Sequence, residues 1–315
     1  MSADIFHTWS DESRQGWNQR PLRLQHRLHE HQAFQDQALC ALIERYPRSQ
    51  YALVMTNRQG EGGRESTRKW REGDIGDASG AQLMQAIAGG SLWLNLREVH
   101  TQDEACAGLL QRAYAEVQAA VPGFSARSLK MGILISSPRA QVHYHCDLPG
   151  QLLWQIRGRK KVWLYPPVAP YLLPEWLEDI AYTGFEFSLV YDPAFDQQAL
   201  VFELQPGQML SWPLNSPHRV DNEDCLNISV TTEHWTDENR RAQKMHLANA
   251  VLRHKLGIRA RKRTLAGPSY WTKAALQAAW RRSPWATTMQ RQSRPVDFRM
   301  APDAPGGYVD LVARS

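Results

Sequence analysis

The chain has 315 residues, 43% of them hydrophobic and twelve of them Trp, which excludes an intrinsically disordered protein and suits one large domain with appendages or two modest ones. The net charge of +5 is modest, and Cys40, Cys106, Cys146 and Cys225 include no C-x-x-C pair, which excludes a zinc-finger signature and a recognisable disulfide framework. No charged n-region precedes an apolar h-region at the N-terminus, and no run approaches the roughly 18 apolar residues of a membrane span, so a soluble, cytoplasmic protein with reduced cysteines and no membrane partner is expected.

In chain order, Leu24, Leu28, His31, Phe34, Ala38, Leu42 and Tyr46 recur at helical spacing and predict an amphipathic helix over 23–46, ended by Pro47. A strand follows at 50–56, then a glycine-rich, charged stretch over 58–76 that reads as an exposed loop. Ser79 can cap a short helix to Ile87, 91–99 reads as a strand, and 104–121 carries a helical stripe of Leu109, Leu110, Ala113, Val117 and Ala120. After Pro122-Gly123 the texture changes to short β-type runs at 130–136, 141–146, 151–156, 160–165, 200–204, 208–212, 218–220 and 227–232. Such runs, broken by Gly, Pro and Asn, predict a β-sandwich or barrel core without βαβ units. Thr236 or Asp237 can cap a helix carrying Met245, Ala248, Val251 and Leu252, Ser269 precedes another carrying Trp271, and an extended tail starts at Arg294. The expected organisation is a mixed helical region over 1–123, a catalytic core over 124–235, and a basic helical region with its tail over 236–315.

His145-Cys146-Asp147 and the distant His218 carry the chemistry. Side chains alternate along a strand, so His143, His145 and Asp147 share one face while Tyr144 and Cys146 point the other way. A His and an Asp two apart can bind one ion together, and His218, after a turn fixed by Pro213 and Pro217, can close the set from another strand. Two imidazoles and a carboxylate are the ligands that hold Fe(II) on one face and leave the opposite positions open. An isolated H-x-D is a common chance match, and His143 is more often a pocket wall than a ligand.

The segment beyond Asp147 adds a second signal: Gln151, then Gln155-Ile156-Arg157-Gly158-Arg159-Lys160 leading through an apolar strand to Tyr165-Pro166-Pro167. Over 129–235 the sequence resembles the JmjC and cupin-like family of Fe(II)- and 2-oxoglutarate-dependent oxygenases, in the branch of the asparaginyl hydroxylase known as factor inhibiting hypoxia-inducible factor. The resemblance implies a double-stranded β-helix (jelly-roll) core, mainly β with flanking N-terminal and C-terminal helices. It implies that His145, Asp147 and His218 hold Fe(II), that Lys160 pairs the distal carboxylate of 2-oxoglutarate, and that Gln151 lies beside the cosubstrate. A dicarboxylate buried in a barrel needs such a cation, and strand parity places Lys160 with Val162 and Leu164 on the inward face, apart from Lys161. The sequence departs from the branch at Val142, where a hydroxyl is usual, and at Glu233, where an amide is usual.

The implied activity is a dioxygenase that consumes O2 and 2-oxoglutarate and hydroxylates an unidentified substrate, a protein side chain or a small molecule. The carboxylate of Asp147 favours hydroxylation over halogenation. Two other readings stay open: a non-catalytic cupin-like binding or regulatory protein, and a non-iron metal cupin isomerase. From Arg240 to Arg294 there is no Asp or Glu. Such a run is usually a solvated face, nucleic acid being a less favoured partner, and Met245, Val251, Leu252, Trp271 and Trp280 could instead pair two subunits in a homodimer.

Overall fold

A computed structural model describes residues 4–55, 71–186, 189–284, 286, 296–304 and 307–311. The first part of the chain forms α1 (Asp11–Gly16), β1 (Leu22–Gln25), α2 (Asp36–Glu44), β2 (Tyr51–Met55), β3 (Arg71–Asp74), α3 (Gly80–Gly89), β4 (Leu92–Leu96) and α4 (Glu104–Ala120). Then come β5 (Arg127–Ser136), β6 (Gln141–His145), β7 (Gly150–Arg157), β8 (Lys160–Leu164), α5 (Pro174–Thr183), β9 (Leu200–Leu204), β10 (Gln208–Ser211), β11 (His218–Asn222) and β12 (Asn227–Trp235). The chain closes with α6 (Asp237–Leu256), α7 (Gly267–Arg282), β13 (Val296–Met300) and β14 (Tyr308–Asp310).

From β5 to β12 the strands alternate between two sheets, except that β8 and β9 are neighbours in the same one, as in a jelly roll. The small sheet has the order β6-β11-β8-β9, and the large one β1-β10-β7-β12-β5-β4-β2-β3-β13-β14. Leu153 and Leu210 of the large sheet meet Val162, Leu164, Leu204 and Val220 of the small one in the space between them. This is the double-stranded β-helix core expected from the sequence, flanked by helices. The outer face of the large sheet packs on α2, α3 and α4, where Leu39, Leu83, Leu110 and Val117 bury against Leu53, Leu94, Ile133 and Trp154. The outer face of the small sheet is covered by α5, with Tyr144, Cys146 and Tyr165 against Leu177 and Ile180.

Several elements differ from the sequence expectation. The helix over 23–46 is confined to α2, because Leu22 and Leu24 alternate with exposed residues and pair with β10 instead. Two short 3-10 turns, Leu28–Glu30 and Gln32–Phe34, take up the rest. Of the loop expected over 58–76, residues 58–70 lie outside the described residues, and Arg71–Asp74 is a strand. The tail is not merely extended: β13 runs parallel to β3 and β14 pairs back on β13. Helix α5 went unpredicted, although Pro174 at its first turn and Gly184 in the left-handed conformation at its end are ordinary boundary signals. α7 begins at Gly267, ahead of Ser269.

α6 starts as expected, with Thr236 and Asn239 forming a reciprocal cap. It packs between α5 and α7, and Glu178 of α5 is buried there, accepting from Asn249 at 3.0 Å and paired with Arg263 at 3.0 Å and Arg253 at 3.4 Å. Met245 and Val251 are buried within the chain, so neither is offered to a second subunit, while the Trp271 side chain stays exposed. Among the described residues no helix is long and apolar enough to cross a membrane.

Candidate metal centre

His145 and His218 are direct cross-strand partners at one end of the β6–β11 pair, and Asp147 lies two residues beyond β6. Ligand-capable atoms of His145, Asp147 and His218 all fall within 4.8 Å of one another. The rings of the two histidines are 4.1 Å apart between centroids, and His218 Nε2 is 3.5 Å from Asp147 Oδ2. Trp212 stands beside this pair, 4.8 Å from the His218 ring.

Strict alternation does not hold along β6. The register slips between His218 and Val220, so that Val142 faces Val220 while His145 faces His218. The extra residue is a β-bulge, the device that re-aims side chains at the ends of sheets. Val142 thus joins the inner apolar cluster and His145 points inward as well, whereas Tyr144 and Cys146 belong to the outer cluster as expected. His143 contributes its main chain, the carbonyl oxygen lying 2.6 Å from His145 Nδ1.

That contact sets the tautomer. A carbonyl only accepts, so Nδ1 of His145 carries the proton, and His218 Nδ1 donates to the Ser216 carbonyl at 3.1 Å in the same way. Burial lowers the pKa of both rings to about 4, His145 being lowered further by His218, so both are neutral near pH 7 and each carries a basic Nε2 able to act as a ligand. Burial pushes the Asp147 carboxyl above its usual range, against the opposing pull of His145 and a hydrogen bond from Gln151. A carboxylate desolvated in this way is one that a bound cation would return to the ionised form. Two neutral imidazoles and one carboxylate within 4.8 Å of one another fit a divalent ion with an open face.

Asn215 supports the same end of the site. Its backbone is left-handed, φ 61°, and its amide donates to the Asp147 carbonyl at 2.6 Å, tying the turn before His218 to the loop after His145. Sequence reasoning missed it, though Asn is the commonest non-glycine residue at such a turn.

Lys160 lies at the other end of the small sheet. The pairs 218–164, 220–162 and 222–160 run along β11 and β8, so Lys160 is four residues, about 13 Å of strand, from the histidines. Lys160, Val162 and Leu164 are all buried, whereas Lys161 and Trp163 are half-buried on the outer face. The neighbouring cations pair outside the barrel, Arg159 with Glu223 at 3.3 Å and Lys161 with Glu203 at 3.3 Å. Lys160 forms no ion pair among the described residues. It faces a pocket lined also by Trp93, Leu134, Ser136, Val142 and Asn222, and burial lowers its pKa to about 8.

The turn that aims Lys160 is built by Gln155 and Gly158. Buried Gln155 donates to the Arg157 carbonyl at 2.7 Å and to Asn227 at 2.7 Å, and receives the Ser229 hydroxyl at 2.8 Å. Gly158 has φ 76°, and a Cβ there would lie 2.3 Å from the Leu226 carbonyl. Gln151 pairs across the sheet with half-buried Glu233, beside Asp147. Trp154 faces away into the outer core, where its indole N–H donates to Thr232 at 3.1 Å, and Trp235 is half-buried.

Comparison with solved structures finds ycfD of Escherichia coli, at 17% identity over 91% of this chain and 71% of that one, with a TM-score of 0.48. The same protein, described as a ribosomal oxygenase in complex with cobalt and 2-oxoglutarate, is similar at 17% identity over 89% of this chain and 68% of that one, with a TM-score of 0.45. Among curated proteins the sequence finds no match. The profile of the cupin-like domain matches residues 81–240, about half of the chain, and the chain belongs to that family.

Proposed function

We propose that this chain is an Fe(II)- and 2-oxoglutarate-dependent dioxygenase that hydroxylates a protein side chain or a small molecule. The observation that carries this reading is Lys160: a buried ammonium without an ion-pair partner among the described residues, on the same inner barrel face as the His145, Asp147 and His218 cluster. A bare buried cation is costly, and a dicarboxylate reaching from the metal toward Lys160 would offset that cost. A metal site alone would need no such group.

In this reading His145, Asp147 and His218 hold the ion from one side, with Nε2 of each imidazole turned inward by the carbonyls of His143 and Ser216. Bound iron supplies the activation of O2 that couples oxidative decarboxylation of 2-oxoglutarate to hydroxylation. Gln151 keeps the Asp147 carboxylate in place, Lys160 fixes the far carboxylate of the cosubstrate, and Leu153, Val162, Leu164 and Trp212 exclude water from the barrel interior. The Asp147 carboxylate occupies the position that a halide would need, which favours transfer of hydroxyl.

Protein purified without oxygen and supplied with Fe(II), ascorbate and 2-oxoglutarate is expected to form succinate, and His145→Ala or Asp147→Ala to abolish it. Because a tightly coupled enzyme turns over little without substrate, a second measurement is the rise in melting temperature with Mn(II) and 2-oxoglutarate. Succinate formation untouched by both substitutions would remove the assignment. A firmly held zinc ion with no response to 2-oxoglutarate would turn the reading to a metal-dependent isomerase.

A further inference from the structure

Positive charge is segregated along this chain. Residues 240–294 hold fourteen of the 37 Lys and Arg and none of the 32 Asp and Glu, leaving 23 basic against 32 acidic residues elsewhere, or +14 beside −9. Part of this charge is neutralised internally, since Arg253 and Arg263 pair with Glu175, Glu178 and Asp179 of α5. Lys273 is buried, its ammonium donating to the Lys262 carbonyl. Arg241 and Lys244 on α6, Arg259 and Arg261 on the following loop, and Arg281 and Arg282 at the end of α7 are exposed, and none of them forms an ion pair among the described residues.

Aromatic rings are interleaved with these cations. The Arg241 guanidinium lies 5.6 Å from the Tyr270 ring and 6.0 Å from that of Trp271, whose side chain is 62% exposed. At the other end the Lys255 ammonium lies 5.7 Å from the Trp280 ring. The start of α6 therefore meets the start of α7 and its end meets the end, so the two helices run side by side in one direction. Leu148, the residue after Asp147, packs against the same cluster of Ala181, Leu247 and Val251 as Tyr182 and Trp280, which puts the basic helices near the loop of the candidate metal centre.

Helix stability does not account for the pattern. Cations at the ends of α6 and α7 offset the helix dipoles, but Arg240 and Arg241 near the start of α6 gain nothing from them. A membrane-binding helix would need an apolar stripe turned outward, whereas Met245, Leu247, Ala248 and Val251 of α6 are buried. Dense positive charge with an exposed ring is the surface that tracks phosphates and stacks unpaired bases.

We propose that the α6–α7 surface binds single-stranded nucleic acid, with Arg241, Lys244, Arg281 and Arg282 along the phosphates and Trp271 under a base. The test is fluorescence anisotropy with the full chain and labelled probes: a mixed-sequence 20-nucleotide RNA, the same sequence as single-stranded DNA, its duplex, and anionic vesicles. Single strands should bind at 50 mM salt and weaken about fifty-fold by 200 mM if four phosphates are engaged. The stronger of RNA and DNA then identifies the source of the strand. Arg241→Glu with Lys244→Glu should weaken binding at least tenfold and flatten the salt dependence. Trp271→Ala should cost about 5- to 150-fold with the salt dependence kept. These side chains are exposed, and unchanged circular dichroism would verify that the variants fold. No binding at 50 mM salt, equal binding by the charge-reversed variant, or preference for duplex or vesicles would each overturn the proposal.

Discussion

Lys160 shows what a single residue can reveal when its surroundings do not complete it. Burial lowers its pKa from 10.5 to about 8, so between those two values the unfolded chain holds the proton more tightly than the folded one. Stability therefore rises with pH through that window, and below pH 8 the whole penalty is present, at about 3 kcal/mol. Lys160→Met keeps most of the apolar stem and removes the charge. It should melt several degrees higher than the parent at pH 7, with the difference shrinking as the pH approaches 10.5. Unlike the parent, it should gain no further stability from 2-oxoglutarate added with Mn(II). A variant that melts lower, or that still responds to 2-oxoglutarate, would separate Lys160 from the cosubstrate.

At the scale of elements, the turn between β10 and β11 carries the next prediction. Asn215 holds a left-handed backbone there and its amide reaches the Asp147 carbonyl, so Asn215→Gly keeps the turn and loses only the hydrogen bond. Mn(II) affinity, followed by electron paramagnetic resonance, should fall about tenfold, as is typical when a support behind metal ligands is lost. Asn215→Ala should fall further because it adds backbone strain. Unchanged affinity in both would make the contact incidental. Elements whose pairing is local were legible in the sequence: the β7–β8 hairpin announces itself through Gly158 and the alternation of β8, and parity placed Lys160 inside and Cys146 outside. Elements decided by distant partners were not. Leu22 and Leu24 follow β10, far along the chain, so the helical spacing of Leu24, Leu28, His31 and Phe34 is coincidence while Ala38 and Leu42 do lie on α2, and the tail became strand because β3 offered an edge. The bulge in β6 is likewise invisible until His145 is paired with His218, since it is defined by the register against β11 and not by the residues of β6 alone.

At the scale of the whole molecule, a set of buried imidazoles ties folding to pH. Away from the metal centre, burial lowers the pKa of His26 to about 3 and of His234 and His246 to about 4, His29 adding to the shift at His26 and Arg263 and Lys273 to that at His246. Each ring has a folded pKa below its unfolded value of 6.5, so in falling pH the unfolded chain takes up protons first. The stability these sites leave intact above pH 6.5 is thus lost progressively as the pH falls toward 4. At 1.36 kcal/mol per pKa unit the three together reach about 12 kcal/mol, comparable with the net stability of a typical folded domain. Asp147 and Asp221 have raised pKa values, so their protonation favours the folded state and offsets part of this loss. A cooperative acid transition between pH 6.5 and 4 is expected, followed by Trp fluorescence and far-ultraviolet circular dichroism. His246→Gln should move its midpoint to lower pH, because the replacement cannot take up a proton. A chain that remains folded at pH 4, or a midpoint unmoved by that substitution, would show that burial of these rings does not govern acid stability.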